Sequence, residues 1–312
     1  MIKAKAIRKI LLTTMTMFLV LTVFSLSVID SSDEVKVNME ISNDVKVNIG
    51  NVYLLGENNY LVRSSIILDD SNQKNNVLKI LEALKESDTS KFSNGFRGVI
   101  PKTCRVLNVL IGKSYVTIDF SKEFLSVSEE LEKKMIEAIV FSVLDYTKLD
   151  GVQILVEGNA LEKYPNSADS LEKILTKSIG INKQYSIKRR DNLLSVILYY
   201  VLEEDDNYYY VPVTKYLNED REKIDIIVEE LVNTNYYDDD LISFLHNKTE
   251  LLEYSNINDM MVLNFNKYLY DYDKKVLDEV LYGISYSVFD NYNVDFVMFE
   301  VNGEEVGYVS RK

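Results

Sequence analysis

The sequence predicts an α+β fold built twice: two tandem ββαββαβ units, each a two-layer domain with a sheet packed by two helices. Three observations predict it. A chain of 312 residues is long enough for two domains of about 100–150 residues each. Segments of the chain match one another at a spacing of 145 over about sixty residues, and the upstream parts match with shifts of a few residues. Within each matched segment, apolar residues switch between the two-residue period of a strand and the spacing of a helix.

The elements of the two copies follow the same order. Copy one opens with Val52-Tyr53-Leu54-Leu55, a turn at Gly56-Glu57-Asn58-Asn59, and a second strand over 60–68. Copy two opens with a strand over 196–201, the acidic turn 203–207 and a strand over 208–217. Apolar runs separated by turn residues predict a hairpin in each. Val77, Leu78, Leu81 and Leu84 then recur at helical spacing, as do Ile224, Ile227, Val228 and Leu231.

The next strands carry the clearest match. Val116-Thr117-Ile118-Asp119-Phe120-Ser121-Lys122 lines up with Met261-Val262-Leu263-Asn264-Phe265-Asn266-Lys267. The alternation of Val116, Ile118 and Phe120 with polar residues predicts a strand with one wet face. Ser126 and Glu129 read as a capping box for the following helix. Its Leu131, Met135, Ile139 and Val143 correspond to Val276, Val280, Ile284 and Val288. Val152, Ile154 and Val156 close copy one as a strand, and Val297, Phe299 and Val301 close copy two. Asn302-Gly303 then favours a hairpin turn, because both residues tolerate positive φ.

The boundaries read as an N-terminal anchor over 1–29, a polar tether over 30–50, copy one over 51–160, a linker over 161–191 and copy two over 192–312. The linker holds Pro165, a short helix predicted over 171–178, and the basic cluster Lys188-Arg189-Arg190. Lys3, Lys5, Arg8 and Lys9 precede twenty uncharged residues that begin at Ile10 and end at Ile29. About 20 apolar residues span a bilayer as a helix. Basic residues before the span and Asp30, Asp33 and Glu34 after it place the N-terminus inside and residues 30–312 outside the cell membrane. A cleaved signal peptide is the competing reading, but Ser25-Leu26-Ser27 is a poor cleavage site.

Composition narrows the chemistry. One cysteine, Cys104, excludes an intramolecular disulfide. With His246 as the only histidine, a zinc finger and a bis-histidine haem are also excluded. A net charge of −14 argues against nucleic acid as a partner. From residue 30 onward, 31 Lys and Arg face 49 Asp and Glu, a net −18.

No catalytic, cofactor-binding or metal site is assigned. Cys104 opens an apolar strand and reads as a small buried hydrophobe. Asp119 is the best single acid candidate, but its counterpart Asn264 has no proton to exchange, so turn capping is preferred. Asp238-Asp239-Asp240 and Glu203-Glu204-Asp205-Asp206 lack calcium-loop spacing. Twenty-two tyrosines are concentrated in copy two, and Tyr208, Tyr209, Tyr236, Tyr237, Tyr270 and Tyr272 are the candidate interaction surface.

These segments resemble the GerMN-domain family of sporulation and germination proteins. The likeness rests on an extended pair ending near Leu68, a helix around 78–84, Ile100-Pro101-Lys102-Thr103 leading into Val106, and 116–124 followed by its long helix and 152–158. In copy two it rests on Tyr210-Val211-Pro212-Val213-Thr214, with His246 and Asn264 replacing Pro101 and Asp119. It covers about residues 50–312. The resemblance implies an extracytoplasmic scaffold with no enzymatic activity or cofactor. Such a scaffold helps assemble or localise the channel complex between forespore and mother cell, and supports the spore envelope. Its partners would be other envelope and channel proteins, with a homo-oligomer also compatible. Family members use a lipidated Cys, whereas this chain offers the apolar segment instead. The alternatives are an extracytoplasmic ligand-binding or sensory module and, after it, a cell-wall hydrolase.

Overall fold

The computed structural model describes residues 48–68, 72–87, 95–189, 191–204, 206–233 and 241–311. The anchor over 10–29 and the tether up to residue 47 lie outside the described residues.

Copy one begins with the antiparallel hairpin β1 (Asn48–Leu55) and β2 (Leu61–Leu68). Asn59 supplies a φ of 63° in its turn, a conformation asparagine adopts more readily than most residues. Helix α1 (Gln73–Ala83) is capped by Asn72, whose side chain accepts from the backbone N–H of Lys74 at 2.9 Å. Strands β3 (Val106–Ile111) and β4 (Tyr115–Phe120) follow, then a 3-10 turn at Lys122–Ser126. Helix α2 (Glu129–Thr147) carries Glu129, Glu130 and Glu132 in its first turn, where carboxylates oppose the positive end of the helix dipole. The copy ends in β5 (Gly151–Val156), parallel to β4, and the short β6 (Asn159–Ala160).

The linker contributes β7 (Gln184–Ser186). Copy two then repeats the order: β8 (Leu193–Glu204), β9 (Asn207–Asn218), α3 (Lys223–Val232), the short β10 (Leu241–Ile242), β11 (Leu251–Ile257), β12 (Met260–Phe265), α4 (Asp278–Asn291), β13 (Phe296–Val301) and β14 (Glu304–Ser310).

These strands make three sheets. The two hairpins join in one shared sheet of order β1-β2-β9-β8-β10, with β7 on β9. Each copy also owns a four-stranded sheet, β3-β4-β5-β6 in one and β11-β12-β13-β14 in the other. Helix α2 packs against β1, β5 and α1, so every side chain from Met135 to Leu144 is buried. Each such Ile, Val, Leu or Phe contributes about 1.5–3 kcal/mol by leaving water.

The helices also seal the edges of the hairpins. Ser142 of α2 accepts from the Tyr53 N–H of β1 at 3.0 Å. Ser287 of α4 does the same for Tyr199 of β8 at 2.8 Å. Asn291 of α4 donates to the Ile197 carbonyl at 2.7 Å and accepts from its N–H at 3.2 Å. Backbone groups that would template association with another strand are thereby occupied.

Three local expectations are corrected. Ser126 and Glu129 form no capping box: Ser126 ends the 3-10 turn and donates to the Glu123 carbonyl, and α2 starts after Ser128. Extended Val127 between them separates the turn from the helix. No α-helix forms over 171–178. Leu175 instead exchanges two backbone hydrogen bonds of 2.8 Å with Val152 of β5, and only Lys177–Ile179 coils, as a 3-10 turn. A free strand edge offers that segment better partners than an isolated turn of helix does. Each copy also gains a last strand, β6 or β14, beyond the predicted seven elements, and copy two gains the short β10 as well.

Candidate interaction site and the joint behind it

The residues weighed for chemistry have structural partners. Asp119 accepts from the Gly158 N–H at 3.0 Å, and Asn264 accepts from the Gly303 N–H at the same distance. A carboxylate and an amide thus do one job, bracing the turn after β5 or β13. Cys104 is buried, and burial pushes its thiol up to about 11. His246 stacks on Tyr268 at 5.2 Å and accepts from the Lys248 N–H at 3.0 Å. Among the described residues, no group of three or more His, Cys, Asp or Glu side chains converges as metal ligands. Asp205 and Asp238 to Asp240 lie outside the described residues.

The six candidate tyrosines separate. Tyr272 is fully exposed, and Tyr208 is 45% exposed with its edge on Phe244. Tyr209 packs edge-on against Phe96 at 4.8 Å, and Tyr270 rests on the core. Tyr236 and Tyr237 lie outside the described residues. The four described rings therefore do not form one class of surface.

A constellation that the sequence reading missed lies where the copies meet. Tyr53 and Tyr199 stand on the first strands of their copies, and their hydroxyls are 2.9 Å apart. Tyr53 donates to Asp145 at 2.7 Å and Tyr199 to Asp290 at 2.8 Å. Asp145 and Asp290 are equivalent positions on α2 and α4. Lys177 of the linker bridges them, donating to Asp145 at 2.6 Å and Asp290 at 2.5 Å. The Arg63 guanidinium of β2 lies 4.1 Å from the centre of the Tyr286 ring, a cation–π contact.

Charge is balanced in this cluster, with two aspartates against Lys177 and Arg63. Burial would raise Asp145, but the charges of Lys177 and Arg63, with hydrogen bonds from Lys177 and Tyr53, hold it below the usual carboxylate range. Burial would lower Lys177, but its two aspartates push it above the usual ammonium range. Burial raises Tyr53 and Tyr199, and the nearby aspartates add to the effect. The tyrosines therefore remain neutral hydrogen-bond donors at neutral pH.

A second linker residue seals the seam between the hairpins. Strands β2 and β9 pair at Arg63↔Tyr210. Beside that pair, the Asn182 amide accepts from the Leu61 N–H at 2.9 Å and donates to the carbonyls of Leu61 and Pro212 at 2.8 Å each. The Asn182 backbone N–H donates to Glu137 of α2, which also pairs with Lys183 at 3.0 Å. The linker is thus built into both copies. One signal in the sequence points to this joint: two acids, Asp145 and Asp290, share the repeat register of 145 inside otherwise apolar helix faces.

The sequence profile of the Germane family, described as sporulation and spore germination, matches residues 51–162 and 197–307. The chain is 27% identical over 263 residues to the spore germination protein GerM of Bacillus subtilis, covering 81% of this chain and 71% of that protein. It is also similar to the solved tandem GerMN domains of the B. subtilis sporulation protein GerM. That match has a TM-score of 0.76 and 25% identity, over 85% of this chain and 97% of the other.

Proposed function

This chain belongs to the Germane family of sporulation and spore germination proteins, and from that premise we propose that it acts as a scaffold rather than a catalyst. It is a tandem GerMN protein similar to GerM. In the proposed role it holds envelope proteins together as the channel complex between forespore and mother cell is assembled. The observation that carries this reading is the joint. Lys177 and Asn182 tie both copies into one sheet, so surfaces on the two domains keep a constant spacing. A scaffold needs such constancy, whereas a flexible linker would dilute it.

We also propose that residues 10–29 anchor the chain in the membrane with residues 30–312 outside, supported by the charge pattern on either side of that segment. No helix among the described residues is long and apolar enough to cross a membrane.

Affinity isolation of the full-length chain from sporulating cells, with channel proteins followed by mass spectrometry, tests the role. Recovery of channel proteins, reduced when the joint is broken, supports it. Failure to recover any of them after cross-linking overturns it. Recovery of the chain in the secreted soluble fraction would overturn the anchor alone.

A further inference from the structure

The two copies differ at the centre of the outward face of their four-stranded sheets. In copy two the register sets Ile257, Met260 and Phe296 side by side in one row. Val262, Met298 and Tyr308 make the next, with Ser255 at its β11 end. Ile257, Phe296 and Tyr308 are 57%, 39% and 64% exposed. The alternate residues of the same strands, among them Leu263, Val297 and Phe299, fill the core. These strands are therefore apolar on both faces, the pattern of strands covered on both sides.

Copy one shows that the fold does not require this. Thr117 and Gln153 stand where copy two has Val262 and Met298, and they face each other at 3.2 Å between Oγ1 and Oε1. Gly151 stands where copy two has Phe296. Leu110 beside Thr117, and Tyr115 at the position of Met260, leave exposed apolar side chains on this face of copy one too, so what is specific to copy two is the apolar centre made by Val262, Met298 and Phe296.

Charge narrows what could cover it. The row beyond Val262 and Met298 is Glu253, Asn264, Glu300 and Glu305. From residue 192 onward the chain holds 25 Asp and Glu against 9 Lys and Arg, a net −16. A second copy would bring a like charge to the same face, and so would an anionic lipid surface. A basic partner would be drawn in, since complementary potentials speed encounter and set register.

We propose that this face docks a protein segment with an apolar stripe flanked by Lys or Arg. The stripe covers Val262, Met298 and Phe296, and the cations meet Glu253, Glu300 and Glu305. The proposal deepens the scaffold reading and rests on it, because it names one surface and the chemistry of its partner.

The test uses the full-length protein and a fluorescent synthetic amphipathic helix with a leucine stripe between lysines. A counterpart carries glutamate for lysine. The double variant Val262→Thr/Met298→Gln gives copy two the residues of copy one and leaves every charge in place. A second variant, Glu253→Lys/Glu305→Lys, changes only exposed side chains. Both should unfold at the wild-type temperature.

The lysine peptide should bind the wild type, about tenfold or more weakly to each variant, and the glutamate peptide should not bind. Equal binding to Val262→Thr/Met298→Gln would reduce the effect to net charge and overturn the proposal. So would binding of the glutamate peptide. Loss in that variant of a wild-type dimer on sedimentation, or of binding to phosphatidylglycerol vesicles, would assign the face to another occupant and overturn it too. If channel proteins are still recovered from cells when the peptide fails, the surface assignment falls alone. If the peptide binds and no channel protein is recovered, the sporulation role falls alone.

Discussion

Replacing Lys177 with methionine tests the joint. The change keeps an unbranched apolar stem and deletes the ammonium. Asp145 and Asp290 lose their shared counter-charge but keep the hydrogen bonds from Tyr53 and Tyr199. Each lost charge-assisted bond contributes about 1.5–3 kcal/mol. Stranding one partner of a fully buried ion pair costs about 3–5 kcal/mol. Lys177 is 25% exposed and each aspartate 11%, so water relieves part of that cost. The expected loss is about 3 kcal/mol near pH 7. For domains of this size that lowers Tm by roughly 6–12 °C in scanning calorimetry.

The pH dependence separates this cause from simple loss of packing. In the wild type, Asp145 is depressed to about 2, with Lys177 the largest favourable influence. Its contribution is complete above the unfolded value of about 4 and disappears as pH falls toward 2. In Lys177→Met the two carboxylates are buried near one another without their shared cation, which raises the affinity of at least one for a proton. A carboxylate raised in the folded state regains stability as pH falls. The deficit of the variant should therefore shrink between about pH 7 and pH 5. A loss under about 1 kcal/mol at pH 7, or a deficit that stays constant over that range, would refute the reasoning.

Asn182→Ala should cost about 2–4 kcal/mol, because it strips partners from both backbone groups of Leu61 and from the Pro212 carbonyl. Hydrogen exchange should report it as faster exchange at the Leu61 amide than at core amides of β4. Asp119→Asn should stay within about 0.5 kcal/mol of wild type by urea midpoint, since Asn264 already makes the equivalent bond, whereas Asp119→Ala should lose about 1 kcal/mol. The Cys104 thiol, buried and pushed up to about 11, should resist a disulfide-exchange reagent at pH 8 and react at once in denaturant. Rapid labelling of the folded chain would contradict that burial.

Much of the fold is legible because both copies follow local rules. The alternation of Val116, Ile118 and Phe120 puts those residues in the core of a strand. The four-residue spacing of Met135, Ile139 and Val143, repeated in Val280, Ile284 and Val288, puts them on buried helix faces. The role of Asp119 as a turn brace is also legible, because a duplicated position that tolerates Asn cannot depend on an ionisable proton. Hydrophobic spacing does not reveal how a linker is used. Residues 171–178 carry a weak helical pattern, yet Leu175 pairs with an edge strand whose position depends on copy one being folded. The candidate tyrosines are legible only in part: strand alternation separates the neighbours Tyr208 and Tyr209 of β9, but that Tyr209 meets Phe96 of the other copy depends on the tertiary structure.

The sequence by itself determined the duplication, the α+β class, the order of the main elements and the acidity of residues 30–312. Those are properties of local period, spacing and charge count, which a chain carries before it folds. The tertiary structure alone decided that the two hairpins merge into one sheet. It also brought Lys177, which lies in no repeat, between Asp145 and Asp290, and turned the apolar outer residues of β12 and β13 toward solvent. The merged sheet and the Lys177 bridge depend on groups far apart in sequence meeting at distances near 3 Å. Periodicity reports which face of an element is buried, but it carries no term for what that face will meet.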